Sequence, residues 1–184
     1  SVVVQKSFSV ANAISYIESS QDSNGSFGGS ELYTDWALIG LSAKGIDSTV
    51  KNKALEYLRS KNKIRSNLTD NERRAMALLA LGENPYEFDG TNYIEAIIKS
   101  FDSTQFGDSS LVNDDIFAVL VLAKVGYNES DIEIKNAVEF IISKQKSNGS
   151  WEDSIDITGA SLQALSLYNN LPGVSNSMNL ASNY

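Results

Sequence analysis

The sequence predicts an all-α protein of four helical hairpins, about eight helices, stacked side by side in an arc. Three observations carry that expectation. Two stretches, Gln21-Asp22-Ser23-Asn24-Gly25-Ser26-Phe27 and Gln145-Lys146-Ser147-Asn148-Gly149-Ser150-Trp151, nearly repeat one another, and each lies between two apolar helical patterns. Pairs of Ala and an apolar residue recur at Ala13-Ile14, Ala54-Leu55, Ala96-Ile97 and Ala137-Val138, at intervals of 41, 42 and 41 residues. A second series interleaves with them at Ala37-Leu38, Ala75-Met76, Ala118-Val119 and Ala160-Ser161, at intervals of 38, 43 and 42. Two interleaved series of one period make each repeat a pair of helices. A lone pair cannot bury its apolar face, so neighbours must stack.

Residues 1–8, with Val2-Val3-Val4, read as an extended lead-in or linker. The repeats follow at about 9–47, 48–90, 91–129 and 130–171. In the first, a helix from Ser9 to Ser20 places Ala13, Ile14 and Ile17 on one face. Asn24-Gly25 and Gly28-Gly29 then reverse the chain, and a second helix starts near Thr34 or Asp35 and ends at Gly45. The second repeat has a helix over 48–61, then Thr69 to Glu72 with capping-box spacing opening a helix to Leu81-Gly82. Its connecting loop, 62–68, lacks the Gln-Gly-aromatic marker. The third repeat runs from Thr91 to Phe101, turns through Gln105-Phe106-Gly107 and continues from Asn113 to Lys124. The fourth runs from Ser130 or Asp131 to Lys144, turns through the second full marker and ends in a helix from Asp156 to Tyr168. Pro172-Gly173 closes it, and the polar, unpatterned stretch 172–184 reads as a tail or a linker to a further domain.

Composition removes several function classes. A chain of 184 residues with 42% hydrophobic and 21% charged residues is ordinary for one globular domain, and no apolar run nears the ~18 residues of a membrane span. Cysteine and histidine are both absent, which rules out disulfides, Cys/His zinc sites and Ser-His or Cys-His nucleophilic pairs. The formal net charge of −8 argues against nucleic acid as a partner and against anionic lipid. Richness in Ser, Asn, Asp and Lys without Cys suits an extracellular or cell-surface bacterial protein. Four Asn-x-Ser/Thr sequons occur, at Asn24, Asn67, Asn128 and Asn148, and two of them belong to the turn marker.

Gln, a few residues, then Gly-x-aromatic at the turn of a helical hairpin resembles the QW motif of the prenyltransferase and squalene-cyclase repeat family. The copies are Gln21, Gly25 and Phe27; Gln145, Gly149 and Trp151; and a partial one at Gln105 and Phe106. The resemblance covers roughly residues 10–170. It implies an α/α toroid in which the second helix of each hairpin lines a central cavity. Four hairpins make such a toroid partial, or leave it to be completed by another region or chain. The marker itself reads as structural: a Gln amide can both donate to helix-end carbonyls and accept from helix-start N–H groups, with the aromatic covering the turn.

Chemistry is harder to place. The protein prenyltransferases of this family bind zinc through Asp, Cys and His, so the absence of Cys and His speaks against that activity; no metal site is expected, and Asp22-Ser23-Asn24-Gly25 reads as an Asx turn rather than a calcium loop. The family's cyclases use Asp-x-Asp-Asp as general acid. Here Val112-Asn113-Asp114-Asp115 matches at Asp114 and Asp115 and lacks the first carboxylate, so capping of a helix is the plainer role. If the second helices run parallel, Asp35, Glu72, Asp114, Asp115 and Asp156 gather at one mouth, walled by Tyr33, Trp36 and Phe117, with Arg73-Arg74 available to pair with them. Each acid is otherwise a solvated cap. The expected function is a non-catalytic module that takes a small molecule or a protein on its concave face within a longer chain. By resemblance alone, cobalamin or a prenyl compound would be candidate ligands; no cofactor is expected from the residues. The alternatives are a cyclase-like enzyme using Asp114 and Asp115, or a structural spacer.

Overall fold

The computed structural model describes residues 9–184, so the lead-in expected at 1–8 lies outside the described residues. The chain is all-α. Among those residues it forms α1 (Val10–Ser19), α2 (Glu31–Ser42), α3 (Ser48–Ser60), α4 (Leu68–Leu81), α5 (Tyr93–Lys99), α6 (Asn113–Lys124), α7 (Ile132–Ser143), α8 (Ile155–Leu165) and α9 (Val174–Ala181). A 3₁₀ turn, Ser166–Tyr168, extends α8. No helix among the described residues is long and apolar enough to cross a membrane.

Side chains at the helix starts account for several boundaries. Ser9, Asp47, Asn67, Asn92 and Ser154 each accept a hydrogen bond from a first-turn N–H, satisfying a donor that no helical carbonyl can reach. Two expected caps are displaced. Helix α2 starts at Glu31, so Thr34 and Asp35 lie inside it and are fully buried. Helix α4 is capped by Asn67, whose Oδ1 accepts from Thr69 N, and Glu72 is buried in the helix rather than closing a capping box. Gly82 ends α4 at φ +76°, the left-handed conformation that glycine adopts without a Cβ penalty.

The second helices form one continuous row: α2 packs on α4, α4 on α6 and α6 on α8. The first helices lie against the row, α5 on α4, α7 on α6, and α9 on both α7 and α8. Leu38, Leu78, Val119, Ile97 and Val138 belong to the shared core. Along the row the small residues Ala75, Ala118 and Ser161 are fully buried. The fourth member of the second Ala series is therefore Ser161 rather than Ala160, because its neighbours three residues upstream, as shown below, play one role.

The C-terminal stretch corrects the tail expected at 172–184. Residues 174–181 form α9, with Val174, Ser177 and Ala181 buried. Its hydrophobic spacing was masked by polar residues on the exposed side, and Ala181 sits 44 residues after Ala137 in the first Ala series. Helix α9 packs on α7 and α8 and meets the fourth turn as α3 meets the first, with Leu180 O and Ala181 N beside Gly149 where Lys53 O and Ala54 N lie beside Gly25.

Candidate functional site

The turn between the two helices of each repeat sets what lies around it. In the first repeat, Gln21 Nε2 donates to Gly25 O at 3.1 Å and to Val50 O, in the first turn of α3, at 2.9 Å. In the fourth, Gln145 Nε2 donates to Gly149 O and to Ser177 O of α9, both at 2.9 Å, and Ser177 Oγ donates back to Gln145 Oε1 at 2.7 Å. The marker Gln thus ties its own turn to the next repeat. Helix-start N–H groups are not its partners. The aromatics close the turn: Phe27 is nearly buried and Trp151 fully so, its indole Nε1 donating to Ile141 O at 2.6 Å. Asp22 and Asn24 accept from Gly29 N and Ser26 N, the Asx-type turn expected of that segment.

The third repeat overturns one assignment. Phe106 holds the aromatic place, but the residue two positions beyond the first helix, where Gln21 and Gln145 stand, is Phe101, and its ring meets that of Phe106 at 5.0 Å. Gln105 occupies the place of Ser26 and Ser150, donates only within its own loop, and leaves Oε1 buried without a partner. In the second repeat the equivalent place is Asn62. Its Nδ2 donates to Phe88 O, Asp89 O and Thr91 Oγ1 in the approach to α5, and Tyr93 Oη donates to its Oδ1. A shorter amide keeps the inter-repeat tie. The missing Gly and aromatic hid it in the sequence.

A second constant position explains the buried acids. Phe27 N donates to Thr34 Oγ1 at 2.9 Å, Trp151 N to Thr158 Oγ1 at 3.1 Å and Phe106 N to Asp115 Oδ1 at 2.9 Å. Thr34, Asp115 and Thr158 each stand three residues before the small row residue. Glu72 fills that place in the second repeat. No marker aromatic presents an N–H there, because the 61–67 turn docks instead through Asn71, which accepts from Arg65 N and donates to Arg65 O, both at 2.8 Å. Both oxygens of Glu72 are consequently buried without a hydrogen bond. Burial, with Asp114 and Asp115 nearby, pushes its carboxyl well above the usual range. Burial also raises Asp115, to about 8, against the opposing effect of Phe106 N–H. Asp114 accepts from Thr69 Oγ1 and Asp108 N. None of these acids is the solvated cap expected, and no group of three or more acids among the described residues is arranged to hold a metal ion.

The remaining candidates divide among three places. Asp35 is buried between Arg74 Nε, at 2.8 Å, and Arg73 Nε, at 3.3 Å; burial pushes its carboxyl up while the two guanidinium groups pull it down. Arg74 also pairs with Glu31, and Arg73 with Asp70 at 2.8 Å. Trp36 and Phe117 meet edge to face at 6.1 Å, and Trp36 is 43% exposed. Tyr33 and Asp156 are exposed and line neither of the clefts described below. The eight residues therefore do not converge on one mouth. Two surface clefts are roomy enough to admit a small molecule. One, about 560 Å³, runs across the second-helix row from Ile39 through Met76, Leu79 and Leu120 to Leu167. The other, about 410 Å³, surrounds the Asp35–Arg73–Arg74 network. Neither is lined by Glu72, Asp114 or Asp115.

Comparison with known proteins gives no match to this chain, whether among family models, curated proteins or solved structures.

Proposed function

We propose that this chain is a non-catalytic ligand- or partner-binding module of a secreted or cell-surface bacterial protein, its repeats curving as a partial α/α toroid of the terpenoid-cyclase kind. The observation that carries the reading is the 560 Å³ cleft on the second-helix row. It spans all four row helices, and its floor of Ile39, Met76, Leu79 and Leu120 is only partly covered. Side chains left half-exposed along a continuous groove favour an apolar occupant, a small molecule or an apolar segment of another protein. Alternation of row helices with helices behind them supports the toroid-like arrangement. The cyclase-like alternative draws on the raised carboxyl of Asp115, but an acid that lines neither cleft has no route to a substrate there.

The chain's two tryptophans make a test direct, because Trp36 is half-exposed near the row and Trp151 is fully buried. Titration with cobalamins, polyprenyl compounds and apolar peptides should shift the Trp36 emission, and native mass spectrometry should retain the bound species. Ala80→Arg, at an exposed position of the same cleft, should abolish both signals without unfolding the chain. An unchanged emission and a clean apo mass across the panel would leave the spacer reading standing instead.

A further inference from the structure

The geometry points to a second binding site, independent of the apolar row: the 410 Å³ cleft beside α2 and α4 binds a small multivalent oxyanion, a phosphate group free or on a small ester. The argument begins with the turn that lacks the marker. The other turns carry Asp22, or Asp102 and Asp108, or Lys144 and Lys146 opposed by Glu152 and Asp153. The second turn, 61–67, carries Lys61, Lys63 and Arg65 with no acid at all. All three line this cleft, opposite Arg73 and Arg74 of α4.

The five cations there meet three acids, Glu31, Asp35 and Asp70, so the cleft holds a surplus of two positive charges inside a chain of net charge −8. Asp35 is held by Arg73 and Arg74, Asp70 by Arg73, and Glu31 by Arg65 and Arg74. Neither Lys61 nor Lys63 has an acidic partner within 4 Å among the described residues. A second signal is buried. Arg74 is 3% exposed, and its Nη1 has no partner at good hydrogen-bond geometry although Nε and Nη2 are both used, the neighbouring Tyr93 hydroxyl giving its own proton to Asn62 Oδ1. An unmade bond on a buried guanidinium is a cost that an entering acceptor would remove.

A third signal comes from α2. Gly29, Ser30, Glu31 and Leu32 form one edge of the cleft, and Ser30 caps this 12-residue helix without a side-chain hydrogen bond. The first-turn N–H groups and the positive end of the helix dipole thus border the same space as the arginines and lysines. Forked guanidinium groups, point-charge ammonium groups and backbone N–H donors on different sides suit a compact tetrahedral oxyanion better than a planar carboxylate. Loss of the marker in the second repeat then has a use: it replaces an acidic turn by a basic one.

The test is isothermal calorimetry of the intact chain with inorganic phosphate and, separately, glycerol phosphate, each against chloride, acetate and sulfate at matched ionic strength. Phosphate should bind in the millimolar range or tighter, and acetate at least roughly tenfold more weakly. Lys61→Gln/Lys63→Gln removes two exposed, unpaired charges without touching the buried network, and should weaken phosphate at least about tenfold. Lys99→Gln, an exposed lysine elsewhere, should not. Tighter binding of the ester than of phosphate identifies a phosphorylated small molecule as the ligand; equal binding identifies the free anion. Equal heats from every anion, or phosphate binding untouched by the double substitution, would overturn the site.

Discussion

The fourth and second repeats solve the same structural problem with different parts. In the fourth, Gln145 ties its turn to α9, Trp151 closes the turn, and Thr158 accepts Trp151 N. In the second, Asn62 makes the tie to the next repeat and Asn71 docks the turn, while the residue equivalent to Thr158 is Glu72, with nothing to accept. The fourth repeat leaves no acid buried; the second leaves a carboxyl in the core and a row of cations on the surface. In the first, second and fourth repeats the amide two residues past the first helix makes the tie to the next repeat, and only the third, with Phe101 in that place, does without it. The Gly-aromatic half of the marker can be given up, and the positions it served then acquire other chemistry.

The sharpest way to break the comparison is at the marker glycines. Gly149 has φ +90°, and a Cβ there would strike Leu180 O of α9; Gly25 has φ +88° and would strike Lys53 O of α3. In both, strain at a left-handed residue adds to a collision with the backbone of the next repeat, which cannot yield as a side chain tip would. Gly149→Ala and Gly25→Ala should each cost about 3 kcal/mol or more in urea unfolding. Gly29→Ala, at φ +64° in open space, should cost about 1 kcal/mol. Equal losses at the three sites would mean that close approach between repeats is not what fixes the glycine.

Next in size is the inter-repeat amide. Gln145→Leu removes two donated bonds and one accepted bond, and leaves Ser177 O and Gly149 O short of partners, for an expected loss of about 2 kcal/mol. Asn62→Leu, in the markerless turn, should cost a similar ~2 kcal/mol, since it deprives Phe88 O, Asp89 O and Tyr93 Oη together. Gln105→Leu should cost far less, because its bonds stay inside one exposed loop and its Oε1 is already unpaired. A loss at Gln105 as large as at Gln145 would reinstate it as a true marker residue.

Much of the fold was legible in the sequence because repetition averages out local noise: two interleaved Ala series placed the first and second helices and required neighbouring repeats to stack, as α2, α4, α6 and α8 do. What escaped were features set by contacts between repeats. Asn62 could have been found only by counting two residues past each first helix, since its type differs from Gln. Helix α9 was hidden by polar surface residues, although Ala181 extends the series. The acids depart from their expected role for one reason. Asp35, Glu72, Asp114 and Asp115 near helix starts resemble caps by position, but the turns fold over that end of the row and bury them, so desolvation and not the helix dipole sets their chemistry. Arg73-Arg74 signalled a partner for Asp35, and the structure brings them together.

The smallest expected effect is also the one that isolates the orphaned place in the second repeat. Glu72 and Asp115 both titrate higher in the folded chain than in the unfolded one, where carboxyls lie near 4. The unfolded state therefore gives up protons first as pH rises, and stability falls from about pH 4 upward, through about pH 8 for Asp115. Glu72→Met keeps the length of the side chain and removes the unpaired oxygens, so it should stabilise the chain by about 1 kcal/mol at pH 8, and by less at pH 5, toward which burial favours the protonated carboxyl. Asp115→Thr restores the residue used by the first and fourth repeats, keeps an acceptor for Phe106 N, and should flatten the remaining decline between pH 5 and pH 8. Urea unfolding at the two pH values decides the matter: a Glu72→Met chain that loses stability at pH 8 would mean that this carboxyl has a partner, and that the second repeat is as fully satisfied as the fourth.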